Sequence, residues 1–68
     1  MLSGSKLQFL RQIHNITQKE LGEELNISKN YISKVENERE PYISEEQVDR
    51  WVDAIYKIYV NKKIERGE

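Results

Sequence analysis

A hydroxyl residue followed three positions later by Glu or Gln stands ahead of an apolar helical pattern at Ser5–Gln8, Thr17–Glu20 and Ser44–Gln47. In each, the hydroxyl can accept from the third helical amide while the longer side chain reaches back to the cap amide, which marks a helix start. Ser28 is a fourth N-cap without the reciprocal residue. Breakers are few: Gly4, Gly22, Gly67 and Pro41 are all the glycines and prolines in 68 residues. No segment alternates apolar and polar residues long enough to specify a strand. The chain therefore reads as all-α, with helices expected at about 6–14, 18–25, 29–36 and 45–63.

The apolar residues recur at helical spacing. Leu7, Leu10 and Ile13 mark the inner face of the first helix, Leu21 and Leu25 that of the second, and Ile32 and Val35 that of the third. The fourth carries Val48, Trp51, Val52, Ile55, Ile58 and Tyr59. Ile16 and Ile27 lie just outside helix ends, where they can plug the core. Pro41 falls in the linker before the fourth helix.

Size and composition exclude several classes. One small domain spanning residues 1–68 is expected, without the depth for a walled catalytic cleft. There is no cysteine and only one histidine, His14, so neither a disulfide framework nor a thiolate or His-pair metal site can form. No metal and no cofactor is expected. No apolar run approaches the length of a membrane span and no leader pattern follows Met1, so a cytoplasmic address is expected. No nucleophile, base and orienter are grouped, so no enzyme is expected. No small-molecule ligand is indicated.

Charge is abundant but balanced, 11 basic against 12 acidic residues, for a net −1. Residues 1–39 hold six basic and five acidic groups, and residues 40–68 five and seven. A nucleic-acid site must then be a local patch rather than the whole surface.

The informative stretch runs from Thr17 to Glu36. Two helices of about eight residues flank a turn at Asn26-Ile27, the length pattern of a bihelical motif. Gly22 stands where the two helices cross closely, and Asn26 where the turn needs a left-handed residue. At about 100° per residue, Lys29, Asn30, Ser33, Lys34 and Asn37 fall on one arc of the third helix and Ile32 and Val35 on the other. Lysine and short amide side chains on an outer arc can pair with guanine and adenine edges in a major groove. A polar outer arc is also what any solvated helix presents. Tyr31 lies between the arcs, where it can cover the core edge or touch a sugar or thymine methyl.

Thr17-Gln18-Lys19-Glu20-Leu21-Gly22, Asn26-Ile27-Ser28, Ile32-Ser33, Val35-Glu36-Asn37 and Pro41 together resemble the XRE, lambdoid phage repressor and Cro-like helix-turn-helix family over roughly residues 6–58. The resemblance implies a compact four-helix (or five-helix) lambda-repressor-like domain whose third helix enters the major groove. It implies DNA contacts from Thr17 and Gln18, from Ser28, Lys29, Asn30 and Tyr31, from Ser33 and Lys34, and from Asn37 and Arg39 in the following loop. It further implies a supporting Arg11–Glu36 ion pair. Three positions depart from the family: Glu38 replaces a common glycine, Gly22 a common alanine, and Asn26 the turn glycine. A carboxylate at Glu38 opposes phosphate.

The fourth helix is longer than the core needs. Tyr56, Val60 and Ile64 form a stripe at four-residue spacing, with Tyr59 beside it, and this is expected to be a homodimer interface. A two-fold dimer on a palindromic double-stranded operator, acting as a transcriptional repressor, is the expected function. Two alternatives remain open: a protein-interaction module of the same fold (antirepressor, antitoxin or accessory factor), or the N-terminal DNA-binding domain of a longer regulator.

Overall fold

The computed structural model describes residues 3–39 and 43–65. Pro41 lies outside the described residues. Four helices follow in order, α1 (Gly4–Ile13), α2 (Gln18–Leu25), α3 (Lys29–Glu36) and α4 (Glu45–Glu65). Among the described residues there is no fifth helix and no strand.

Local chemistry accounts for the helix ends. Thr17 and Glu20 make the reciprocal capping box, with the Glu20 amide donating to Thr17 Oγ1 at 3.0 Å and the Thr17 amide to Glu20 Oε1 at 2.9 Å. Ser44 and Gln47 do the same, both at 3.1 Å. Ser28 Oγ accepts from the Tyr31 amide at 3.1 Å. The box expected at Ser5–Gln8 does not form. Ser3 caps α1 instead, its Oγ accepting from the Lys6 amide at 3.3 Å, and Ser5 falls inside the first turn. The earlier start is allowed by Gly4, whose missing side chain lets α1 enter directly against the end of α3.

Left-handed residues follow each of the first three helices: Asn15 (φ 57°), Asn26 (φ 60°) and Glu38 (φ 58°). Asparagine tolerates this conformation well, glutamate poorly.

Leu7, Ile16, Leu21, Ile32, Val35, Val48, Trp51, Ala54 and Ile55 form the buried core, with Leu10, Leu25, Ile27, Val52, Ile58 and Tyr59 packed around it. α4 lies across α1 and α2, while α3 packs on α1 and α2 and leaves its other face to solvent. Ile13, expected to face inward, is instead 56% exposed, and its neighbour on the outer face, Phe9, is 64% exposed. Ending α1 at Ile13 and reversing at Asn15 lets Ile16 fill the place that Ile13 would have taken.

The distal part of α4 is tied down. Lys62 donates to the Asn15 carbonyl at 2.7 Å and pairs with Glu20 at 3.0 Å, and Lys57 pairs with Glu24 at 3.1 Å. Glu20 thus serves both a helix cap and an interhelix contact. The donated Thr17 amide holds its carboxyl below the usual 4.5, and Lys62 lowers it further against partial desolvation. A carboxylate with a depressed folded pKa stabilises the fold above its unfolded pKa, and that contribution is lost as pH falls through the folded one. Thermal melts should therefore show stability falling as pH drops below 4.5, with Glu20→Gln flattening that acid limb.

Candidate nucleic-acid interface

α2, the turn and α3 are locked by backbone contacts before any side chain is considered. The Ile27 amide donates to the Gly22 carbonyl at 3.0 Å, around left-handed Asn26. A methyl group at Gly22 would sit 2.8 Å from the Ile27 carbonyl oxygen and 3.3 Å from Ile32 Cδ1. The turn is closed more tightly than a Cβ permits, which explains glycine at this position.

α3 then divides cleanly. Ile32, Val35 and Glu36 are buried, while Lys29, Asn30 and Lys34 are exposed and Ser33 is half-buried. Asn37 and Arg39 continue the exposed side past the helix end, and Asn37 Nδ2 donates to Ser33 Oγ at 3.2 Å. Tyr31 is half-buried and leans on Trp51, with ring centroids 6.4 Å apart. Its ring covers the α3–α4 edge of the core.

Thr17 and Ser28 are exposed at the starts of α2 and α3. Each hydroxyl oxygen is occupied as an acceptor by its cap bond, and each hydroxyl proton remains available to an outside acceptor. Two helix N-termini therefore each present a hydroxyl, that of Ser28 with exposed Lys29 next to it in sequence, and a helix N-terminus favours anionic oxygen.

Beneath this surface lies a charged buttress. Arg11 Nε and Nη2 donate to the two Glu36 carboxylate oxygens at 2.6 and 3.0 Å, and Arg11 Nη1 donates to the Ile16 carbonyl at 2.7 Å. Gln18 Nε2 adds a further bond to Glu36 Oε1 at 2.9 Å. The Glu36 side chain is fully buried and that of Arg11 nearly so. One carboxylate on α3 is thus held from α1 and from the first residue of α2.

A family model described as helix-turn-helix matches residues 7–55. The chain belongs to the helix-turn-helix family of the XRE, Cro/C1 type. It is a DNA-binding transcription regulator of that type. No curated protein and no solved structure gives a significant match. Helix-turn-helix domains of this type are regulatory and not typically enzymatic. Among the described residues no grouping of His, Asp or Glu could hold a metal ion, and no helix is long and apolar enough to cross a membrane.

The residues of the expected dimer stripe are not equivalent. Tyr56, Val60 and Ile64 are 46%, 50% and 69% exposed. Tyr59 is half-buried against the core, its ring edge-to-face with His14 at 4.7 Å and beneath Lys63 Nζ at 4.8 Å. His14 caps α1, donates from Nδ1 to the Leu10 carbonyl at 2.7 Å and also meets Tyr56 at 5.3 Å. Gly4 and Lys62 matter to this architecture and carry no motif. Gly4 could have been found only from its position between two cap-competent serines.

Proposed function

We propose that residues 1–68 act as one operator-binding domain that seats α3 in the major groove of double-stranded DNA and represses transcription as a homodimer in the cytoplasm. The observation that carries this reading is the row of exposed Lys29, Asn30 and Lys34 with half-buried Ser33 among them, on a helix whose buried side is fixed by the Arg11–Glu36–Gln18 buttress. In this reading Asn30, Ser33 and Lys34 meet base edges or the adjacent backbone. Thr17, Gln18, Ser28, Lys29, Asn37 and Arg39 grip sugar and phosphate. Tyr31 contributes its exposed edge. The reading gives α3 a function that a merely solvated face would not have.

Dimerisation through Tyr56, Val60 and Ile64, with Tyr59 beneath, is supported by the exposure of three apolar side chains on one stripe of α4. One short helix reads only a few base pairs, and a two-fold pair doubles the site.

Selection from a random duplex pool tests the proposal. The expected product is an inverted repeat with half-site centres about 10–11 base pairs apart. Lys34→Ala and Asn30→Ala are each expected to weaken binding to that product by about 1–3 kcal/mol while leaving the helical circular-dichroism signal unchanged. Absence of enrichment by a folded protein would reject operator reading in favour of a protein-interaction module. Enrichment of an unrepeated half-site would reject the homodimer alone.

A further inference from the structure

We infer that Glu38 limits the affinity of this chain for DNA, its carboxylate subtracting from the phosphate attraction supplied by Lys34 and Arg39. The inference rests on the α3 orientation proposed above. Glu38 lies in the loop that closes α3, between Asn37 and Arg39, and its amide donates to the Val35 carbonyl at 3.0 Å. Its φ of 58° is a conformation that glycine adopts without cost and that a Cβ opposes. The backbone at this point thus favours a residue with no side chain, and the chain carries a charged one there.

The side chain does not swing freely. Its Cγ lies over Gly4, where a methyl group would approach it to 3.3 Å, and Oε1 accepts from Ser5 Oγ at 3.3 Å. The first turn of α1 has no acidic residue of its own, so Glu38 brings a negative charge to that helix N-terminus from outside the helix. This contact holds the carboxylate at the exposed edge beside Asn37 and Arg39. Among the described residues no lysine or arginine forms an ion pair with it. Its charge is therefore not cancelled locally, and a phosphate approaching Arg39 meets a cation and an anion on adjacent residues. The repulsion does not depend on base sequence, so it acts on every duplex the protein meets. For a chain of net charge −1, one carboxylate at this edge is a large part of the electrostatic balance.

The test is binding to a mixed-sequence duplex, followed by fluorescence anisotropy over a salt series. Glu38→Gln removes the charge and keeps both the side-chain shape and an acceptor for Ser5. It is expected to bind about three- to tenfold tighter, with a salt slope steeper by up to about 0.9. Glu38→Gly should give the same gain together with a higher melting temperature, because it also relieves the left-handed φ. Lys34→Ala is the opposing control and should weaken binding. If Lys34→Ala weakens binding while Glu38→Gln changes neither affinity nor slope, the carboxylate only caps α1 and the inference is wrong. If neither substitution has any effect, or no form of the chain binds the duplex, the proposed α3 orientation fails and this inference falls with it.

Discussion

Arg11→Met is expected to destabilise the protein by about 3–5 kcal/mol, enough to leave much of the chain unfolded at ambient temperature. The substitution keeps an aliphatic stem in contact with the core but removes three donated hydrogen bonds, two to Glu36 and one to the Ile16 carbonyl. What remains is a carboxylate with no exposed side-chain surface and a single neutral donor, Gln18. An uncompensated buried charge costs far more than the intact pair contributes. The double variant Arg11→Met/Glu36→Leu should therefore recover a large part of the loss, because it removes the stranded charge along with its partner. Urea melts of the wild type, the two single variants and the double variant give the coupling directly. A double variant no more stable than Arg11→Met would show that the loss comes from packing and the Ile16 bond instead. DNA binding by the double variant is expected to stay weak even if it folds, since α3 has lost the bonds that set its orientation.

The second large effect is at Gly4. A methyl group there would sit 1.8 Å from the Val35 carbonyl oxygen and 2.9 Å from its carbon, inside any permissible contact. Neither atom belongs to a flexible side chain, so α1 or the end of α3 must move bodily. Gly4→Ala is expected to cost about 1–3 kcal/mol, although alanine is the better helix former. Ser5→Ala, one residue on and exposed, should be nearly neutral. Equal melting temperatures for Gly4→Ala and wild type would mean that α1 can start one residue later at no cost.

These two sites differ in how far the sequence reveals them. The buttress was legible because its members sit at positions set by the helix-turn-helix pattern, Arg11 in α1 and Glu36 at the end of α3. The turn was legible too. Thr17, Ser28 and Ser44 announce their helices by local bonds, and a local bond needs only local sequence. Gly4 was not legible, because its importance comes from an approach to Val35 made across 30 intervening positions. Ser3 and Ser5 compete for the same cap, and only the packing of α1 on α3 decides between them. Ile13 misled for a related reason: its spacing from Leu10 suits a helix that continues, whereas α1 stops there and Ile16 enters the core after the reversal at Asn15. Lys62 belongs to no motif, and its role depends on a carbonyl at Asn15, far away in the chain.

The bonds on Glu36 have a consequence for the timing of recognition. A turn of α3 about its own axis by one residue, about 100°, would carry the carboxylate away from Arg11 and Gln18 and break its three bonds. Three bonds from two other helices on one carboxylate therefore favour a single resting orientation of α3. Conformational entropy lost on meeting a duplex is then confined to the few exposed side chains of that helix, chiefly Lys29, Asn30 and Lys34. Encounter should behave as the docking of a rigid body, with no slow rearrangement after first contact. Discrimination between sequences would then appear mainly in how long a complex lasts, and little in how fast it forms.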